Sequence, residues 1–299
     1  MDRLHTLEMF LKVADKGGFA AAARALGVSP PAVTRGVAEL EARLGVTLLH
    51  RSTRAVSLTT EGAGFIEQAR RILDDLADAE RQLAGMRLEP AGQLHITAST
   101  AFGRMHVTPA VAELIDRHAA LDIRLLLIDR NVRIVEEGID IAVRIGPLAD
   151  SALRAVRIGS VRQAIVASPA YLARFGVPVR LSDLASHRLI ASAGPRAAAE
   201  WRIGGRQITS ARPRLTLNTV DAAIAAAEAG VGLANFLDYQ VEHALDAGRL
   251  IEVLKPEVPE LLPVSLLFEA SRANAPATRA FIETMRERAR RCRWEQARE

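Results

Sequence analysis

The sequence predicts an α + α/β protein. A winged helix-turn-helix covers residues 1–59, a long linking helix and hinge 60–90, and an α/β domain 91–299. Three observations carry this. Between Phe19 and Leu44 an Ala-rich helical stretch, a Gly turn and a second helical stretch headed by Ser29-Pro30-Pro31 follow one another, the parts of a helix-turn-helix. Phe65, Ala69, Ile72, Leu76, Ala79, Leu83 and Met86 then recur at spacings of 4, 3, 4, 3, 4, 3, an uninterrupted a/d seam. From Gln93 onwards apolar strand patterns alternate with helix patterns, which predicts parallel sheet with helices on both faces.

Taken in order, Leu4, Leu7, Phe10, Leu11 and Ala14 give a first helix over 4–15, ended by Gly17-Gly18. The second helix, 19–26, is lined with alanines that let a neighbour approach closely. Gly27 suits the left-handed position after its end. Ser29 is placed as an N-cap, and Pro30 sits where a missing N–H costs nothing. The third helix runs to about residue 44, with Val33, Val37, Leu40 and Leu44 as its buried stripe. Ala32, Thr34, Arg35, Ala38 and Glu39 are left on other faces. Residues 46–58 alternate enough for a short hairpin, a wing, tipped by Ser52-Thr53-Arg54.

The helix from Thr60 to about residue 87 has Glu61 in its first turn. About 28 residues at ~1.5 Å each make a rod of roughly 40 Å. Its seam requires a partner: a second copy of the chain, or the chain's own core. After the linker 88–92 come strands at 93–98, 122–128 and 139–145, with helices at 107–118 and 131–137. A second set has strands at 161–167, 214–217 and 231–235, with helices at 169–175 and 219–229. A late strand at 264–268 and a final helix at 277–290 close the chain.

Composition narrows the class. With 299 residues, 49% apolar and 25% charged, the chain can hold two or three domains with real cores. No apolar run reaches the roughly 18 residues of a membrane span, and residues 1–5 start no signal-peptide core. Cys292 is the only cysteine, so no internal disulfide framework and no Cys-based metal site are expected. A cytoplasmic protein without a membrane partner is the default. The net charge of +4 is weak evidence for nucleic acid. Residues 44–60 hold no acid but carry His50, Arg51 and Arg54. Lys appears only at positions 12, 16 and 255. The Arg bias suits phosphate and guanine contacts, and genomic composition explains it equally well.

Enzyme signatures are missing. There is no Walker loop, nucleophile elbow or HExxH. Gly230-Val231-Gly232 lacks a third spaced Gly and follows a helix. His95, His106 and His118 lack metal-ligand spacing. Cys292 lies among Arg290, Arg291 and Arg293, which can lower a thiol pKa, but no resolving cysteine exists for a redox switch. A non-enzyme without cofactor or metal is expected. Two functions remain: a ligand-responsive DNA-binding regulator, or a solute-binding module whose N-terminal helices serve protein contacts.

The residues then resemble the LysR-type transcriptional regulators over essentially the whole chain. The N-terminal match includes Phe10, Val13-Ala14, Gly18-Phe19, Ala21-Ala22-Ala23-Arg24-Ala25-Leu26, Ser29, Pro31-Ala32-Val33, Leu40-Glu41, Leu44-Gly45-Val46, Leu48-Leu49, Arg51-Ser52-Thr53-Arg54, Leu58-Thr59 and Glu61-Gly62. Phe102-Gly103-Arg104, His106-Val107, Pro109, Val135-Glu136-Glu137-Gly138, Arg144-Ile145-Gly146 and Ala167-Ser168-Pro169-Ala170-Tyr171-Leu172 mark one large branch of the family. The resemblance implies a periplasmic-binding-protein-like effector domain with two α/β lobes, here 91–163 plus 266–299, and 164–265. It also implies a dimerising linker helix, tetramers acting as dimers of dimers, a metabolite between the lobes, and an effect on DNA bending or on contact with RNA polymerase.

Against double-stranded DNA the candidates are Ser29, Pro30, Ala32, Thr34, Arg35, Arg51, Thr53 and Arg54. Pro30 stands where the family often has a Gln, which removes a bidentate adenine reader worth about 1–3 kcal/mol. For a small anionic or aromatic organic effector the candidates are Ser99, Thr100, Phe102, Arg144, Ile145, Gly146, Asn218 and Thr219. They lie at strand ends of an open α/β sheet, where ligands collect. Hydroxyls and N–H groups at Ser99-Thr100 suit a carboxylate, and simple capping is the other reading. Arg144 suits an anion, or a pair with Asp140 or Glu137. Leu233-Ala234-Asn235-Phe236 departs from the family's usual apolar residues and Pro. Dimer contacts are expected from Phe65, Ala69, Ile72, Leu76 and Leu83.

Overall fold

A computed structural model describes all residues but 1, 52–55, 84–88, 131, 149–150, 193–200, 204–205, 209–212, 259–260, 293 and 295–299. The chain divides into two units, Met1–Gln93 and Leu94–Glu299.

In the first unit α1 (Arg3–Lys16), α2 (Phe19–Leu26) and α3 (Pro30–Leu44) precede a two-stranded wing, β1 (Leu49–Arg51) and β2 (Val56–Leu58), and α4 (Thr60–Leu83). Gly27 and Gly45 stop α2 and α3 at φ +66° and +71°, which a side chain would resist. Phe10, Val13, Ala22, Val33, Val37 and Leu40 meet in one core, where a fully buried side chain such as Phe10 contributes about 1.5–3 kcal/mol. Two expectations fail. Leu44 is 40% exposed rather than part of the buried stripe, and its neighbours Ala42 and Arg43 in the last turn of α3 are exposed too. Ser29 occupies the N-cap with extended backbone, but its hydroxyl makes no capping hydrogen bond. The Glu41 carboxylate accepts from the N–H groups of Leu48 (2.8 Å) and Leu49 (3.1 Å), which ties the wing to α3. Thr59 caps α4, accepting from Gly62 N at 2.9 Å.

The second unit runs β3 (Gly92–Ala98), α5 (Thr100–Phe102), a π-helical turn (Gly103–Val107), α6 (Thr108–Arg117), β4 (Leu121–Leu127), β5 (Ile141–Ile145), β6 (Arg154–Ala167), α7 (Pro169–Phe175), β7 (Leu189–Ser192), β8 (Trp201–Ile203), β9 (Arg206–Ile208), β10 (Pro213–Leu217), α8 (Val220–Glu228), β11 (Leu233–Leu237), α9 (Asp238–Asp246), β12 (Ile251–Val253), β13 (Leu261–Phe268) and α10 (Pro276–Arg291). One mixed sheet has the order β10-β7-β11-β6-β13-β5-β3-β4, with β12 beside β6, and β8 and β9 pair antiparallel in a sheet of their own. The expected parallel pairing holds for β3 with β5 and for β7 with β10 and β11. The strands β6 and β13 pair antiparallel with each other and form the seam between the lobes.

Several strands and helices escaped the sequence reading: β7, β8, β9, β12 and α9. On β6, Arg162 pairs with Leu261 of β13 and Gln163 with Leu237 of β11. β13 begins at Leu261, three residues before the expected Val264. Pro263 hides this start. It lacks a ladder N–H, yet it pairs opposite Ser160 and its carbonyl accepts from Gly146 N at 2.9 Å. The helix expected at 131–137 is a single turn, closed where Gly138 N donates to Val135 O; Asn131 lies outside the described residues.

Candidate nucleic-acid interface and ligand cleft

In the last turn of α3 Ala42, Arg43 and Leu44 are exposed. On its first three turns the exposed residues are Pro30, Pro31, Thr34, Arg35, Ala38 and Glu39, with Ala32 half-buried and Ser29 exposed just before them. This is the face opposite Val33, Val37 and Leu40, set by the 3.6-residue period. Thr34 donates its hydroxyl to Pro30 O at 3.0 Å, so it keeps only acceptor capacity for a base or phosphate. The Arg35 guanidinium is exposed and has no carboxylate partner among the described residues. Arg51 belongs to β1, paired with Val56. Its side chain, Thr53 and Arg54 lie outside the described residues.

The seam of α4 divides. Phe65 packs 5.9 Å from Phe10, and Ala69 is fully buried in the same core. Both therefore serve their own chain rather than an open face. Ile72 and Leu76 are 46% and 37% exposed and remain free for a partner. The side chains of Ala79 and Leu83, and all of Met86, lie outside the described residues.

In the second unit a cleft of about 490 Å³ opens between the lobes, in the range of small-molecule sites. Ser99, Val143, Arg144 and Ile145 line it from the strand ends of lobe I, with Asp129 and Arg130 from the loop after β4. Val220, Leu237, Tyr239 and Gln240 close it from lobe II, and Leu262 lies on the crossing strand. Of the expected effector residues, Ser99, Arg144 and Ile145 line this cleft, and the others do not. Thr100 is exposed outside the lining, and its N–H already donates to Asp129 Oδ1 at 2.9 Å. Phe102 is fully buried, edge-on to Tyr239 with ring centroids 5.3 Å apart, so it supports the wall from behind. Gly146 spends its N–H on Pro263. Thr219 caps α8 through Ala222 N at 3.3 Å, and Asn218 is exposed beside it. Arg104 crosses between the lobes to Asp221 at 2.7 Å.

Arg144 decides the electrostatics. Its Nη1 donates to Val143 O at 3.3 Å, while Nη2 is buried and has no hydrogen-bond partner among the described residues. Burial alone depresses its pKa, yet a guanidinium stays charged. The two carboxylates expected to compete for it are engaged elsewhere. Asp140 pairs with Arg272 at 3.5 Å and accepts from His95 N, and Glu137 binds Arg130 at 2.7 Å. Hydrogen bonds from Arg130 and from Arg133 N hold Glu137 at a pKa of about 2.

Sequence reasoning missed Tyr239 and Gln240. Their signal was Asp238 directly after the β11 pattern, a helix start at a strand end. Gln240 accepts from Leu237 N at 2.9 Å and donates to the Tyr239 hydroxyl at 3.1 Å. Burial pushes the Tyr239 phenol well up, so it stays a neutral hydrogen-bonding group.

A helix-turn-helix unit and a two-lobed cleft domain on one chain match two family models. One describes a bacterial regulatory helix-turn-helix protein of the lysR family and matches residues 4–63; the other describes the LysR substrate binding domain and matches 87–290. The chain belongs to the LysR family. This LysR-type protein is a DNA-binding transcriptional regulator with an effector-binding domain, which settles the choice between a regulator and a solute-binding module. The regulator CrgA of Neisseria meningitidis is 30% identical over 280 residues, covering 93% of this chain and 94% of that protein. The regulator DmlR of Escherichia coli is 33% identical over 289 residues, covering 95% and 94%. The solved structure of CrgA superposes with a TM-score of 0.60 at 29% identity, covering 96% of this chain and 99% of that one. The OxyR mutant of Corynebacterium glutamicum, at 17% identity and a TM-score of 0.65, shares the fold.

Proposed function

We propose that this LysR-type regulator sits on promoter DNA in the cytoplasm as a homodimer, paired into a tetramer, and that a small anionic effector gripped by Arg144 controls its contact with RNA polymerase. One observation carries the effector half: the buried Nη2 of Arg144 has no partner among the described residues. An unsatisfied buried donor costs roughly 1–3 kcal/mol, and a carboxylate entering the cleft would remove that cost with a charge-assisted hydrogen bond. The aliphatic walls at Val143, Ile145, Val220, Leu237 and Leu262 favour an apolar body behind the anionic group.

On the DNA side, α3 enters the major groove with Thr34 and Arg35 foremost, and the wing residues Arg51, Thr53 and Arg54 reach the backbone. The exposed Arg35, which has no carboxylate partner among the described residues, supports this reading. Ile72 and Leu76 bring two copies together, so two half-sites are bound and protein symmetry sets their spacing.

The test uses the full-length protein. Its melting temperature is measured against small aliphatic carboxylates and their neutral amides. Stabilisation by carboxylates, absent with the amides and lost in Arg144→Met, is the expected result. Equal stabilisation of Arg144→Met would remove Arg144 from the site.

A further inference from the structure

A count of charges in the cleft carries the effector's chemistry one step further, and rests on the reading of this cleft as the effector site. Four charged groups stand on or beside it. Arg130 is neutralised by Glu137, which meets it with both carboxylate oxygens at 2.9 and 2.7 Å. Arg144 is the third, and no carboxylate reaches it among the described residues. The fourth is Asp129. It lines the cleft, its Oδ1 accepts only from the uncharged N–H of Thr100, and no Lys, Arg or His of the described residues lies within ion-pairing distance of it. Among the described residues, one cation and one anion are therefore left without counter-charges in the same cleft.

Their placement keeps them apart. Arg144 lies on β5 and Asp129 just beyond β4, with β3 between those strands. Two strand spacings of about 4.8 Å separate the backbones that carry them by roughly 10 Å. Both side chains line one cleft, and they form no ion pair with each other. The groups between them are apolar or already hydrogen-bonded to their neighbours: Ile128, Val143 and Ile145 on one wall, Leu237 and Gln240 on the other.

We propose that the effector is a zwitterion, an amino-bearing carboxylic acid with an apolar body, whose carboxylate meets Arg144 and whose ammonium meets Asp129. A plain carboxylic acid satisfies only half of this cleft. It also adds a negative group to a space that already holds the Asp129 carboxylate, which like-charge repulsion disfavours. An ammonium group at Asp129 turns that repulsion into a charge-assisted hydrogen bond, and Oδ1 can keep the Thr100 N–H while Oδ2 takes the ligand.

The test is calorimetric titration of the full-length protein with leucine, norvaline and 5-aminovalerate, each against its counterpart without the amino group: 4-methylvalerate for leucine, valerate for the other two. Asp129→Asn is the informative variant, because the asparagine oxygen still accepts from Thr100 N while the charge is gone. The expected result is binding of at least one amino acid about tenfold or more tighter than its counterpart, with the preference lost in Asp129→Asn and all binding lost in Arg144→Met. Counterparts that bind as well as the amino acids, unaffected by Asp129→Asn but lost in Arg144→Met, would overturn the zwitterion and leave the Arg144 reading standing. Affinities that survive Arg144→Met, or no binding by any of the compounds, would overturn both.

Discussion

The backbone N–H of Thr100 donates to Asp129 Oδ1 at 2.9 Å, across the gap between the end of β3 and the loop after β4. A group that looked free to receive a ligand carboxylate is thus already satisfied by a carboxylate of the chain itself. Only the Thr100 backbone takes part. Thr100→Val should therefore leave both operator binding and effector response unchanged, measured as ligand-dependent change in a gel-shift. Loss of response would show that the hydroxyl itself meets the ligand.

Arg35→Ala should weaken operator binding without lowering the melting temperature, because Arg35 is exposed and has no carboxylate partner among the described residues. If Arg35 reads a base edge, the loss is about 1–3 kcal/mol and relaxes one base preference. If it meets phosphate, the slope of log affinity against log salt falls by about one. Titrations at several salt concentrations separate the two, and unchanged affinity removes Arg35 from the interface.

The two halves of the α4 seam should respond differently. Phe65 is partly buried against Phe10, so Phe65→Ala should cost the N-terminal unit stability, up to about 3 kcal/mol, the low end for a buried Phe. Ile72→Glu with Leu76→Glu touches an exposed face and should shift the protein towards monomer in sedimentation with little change in helix content. A dimer that survives the double substitution would place the interface elsewhere.

His106 predicts a pH dependence. Its ring is buried between Phe102, Tyr239 and Trp294, and neither nitrogen has a hydrogen-bond partner among the described residues. Burial first, and the Arg288 guanidinium second, lower its pKa from 6.5 to about 4. Between those values the unfolded chain takes up a proton that the folded chain refuses. The neutral ring's contribution is complete above about pH 6.5 and is lost as pH falls towards 4, by roughly 3 kcal/mol at most. His106→Phe should therefore flatten the fall in melting temperature between about pH 7 and 5. An identical acid limb in the variant would assign the loss to other groups.

Local chemistry made much of the fold legible. The helix Pro169–Phe175 matches its sequence span to the residue, because Ser168 caps it, Pro169 opens it and Gly176 follows it. The same signals placed α2 and α3, hence the exposed face with Arg35. Arg144 was legible as a charged residue at a strand end, but its freedom was not, since that depended on where Asp140 and Glu137 turned. The strand start before Pro263 and the short β7, β8, β9 and β12 were hidden because a proline or a three-residue run leaves no period to read.

By itself, then, the sequence determined the helix-turn-helix, the linking helix and the alternation that builds the α/β unit, because caps, turns and periodicity act within a few residues. Only the tertiary structure decided what fills the cleft and what supports it. It set Tyr239 edge-on to Phe102, joined Arg104 to Asp221 across 117 residues of chain, gave Phe65 and Ala69 to the chain's own core, and left Arg144 without an acidic partner among the described residues. Those outcomes depend on which distant segments meet, and burial and charge pairing between such segments leave no local pattern in the chain.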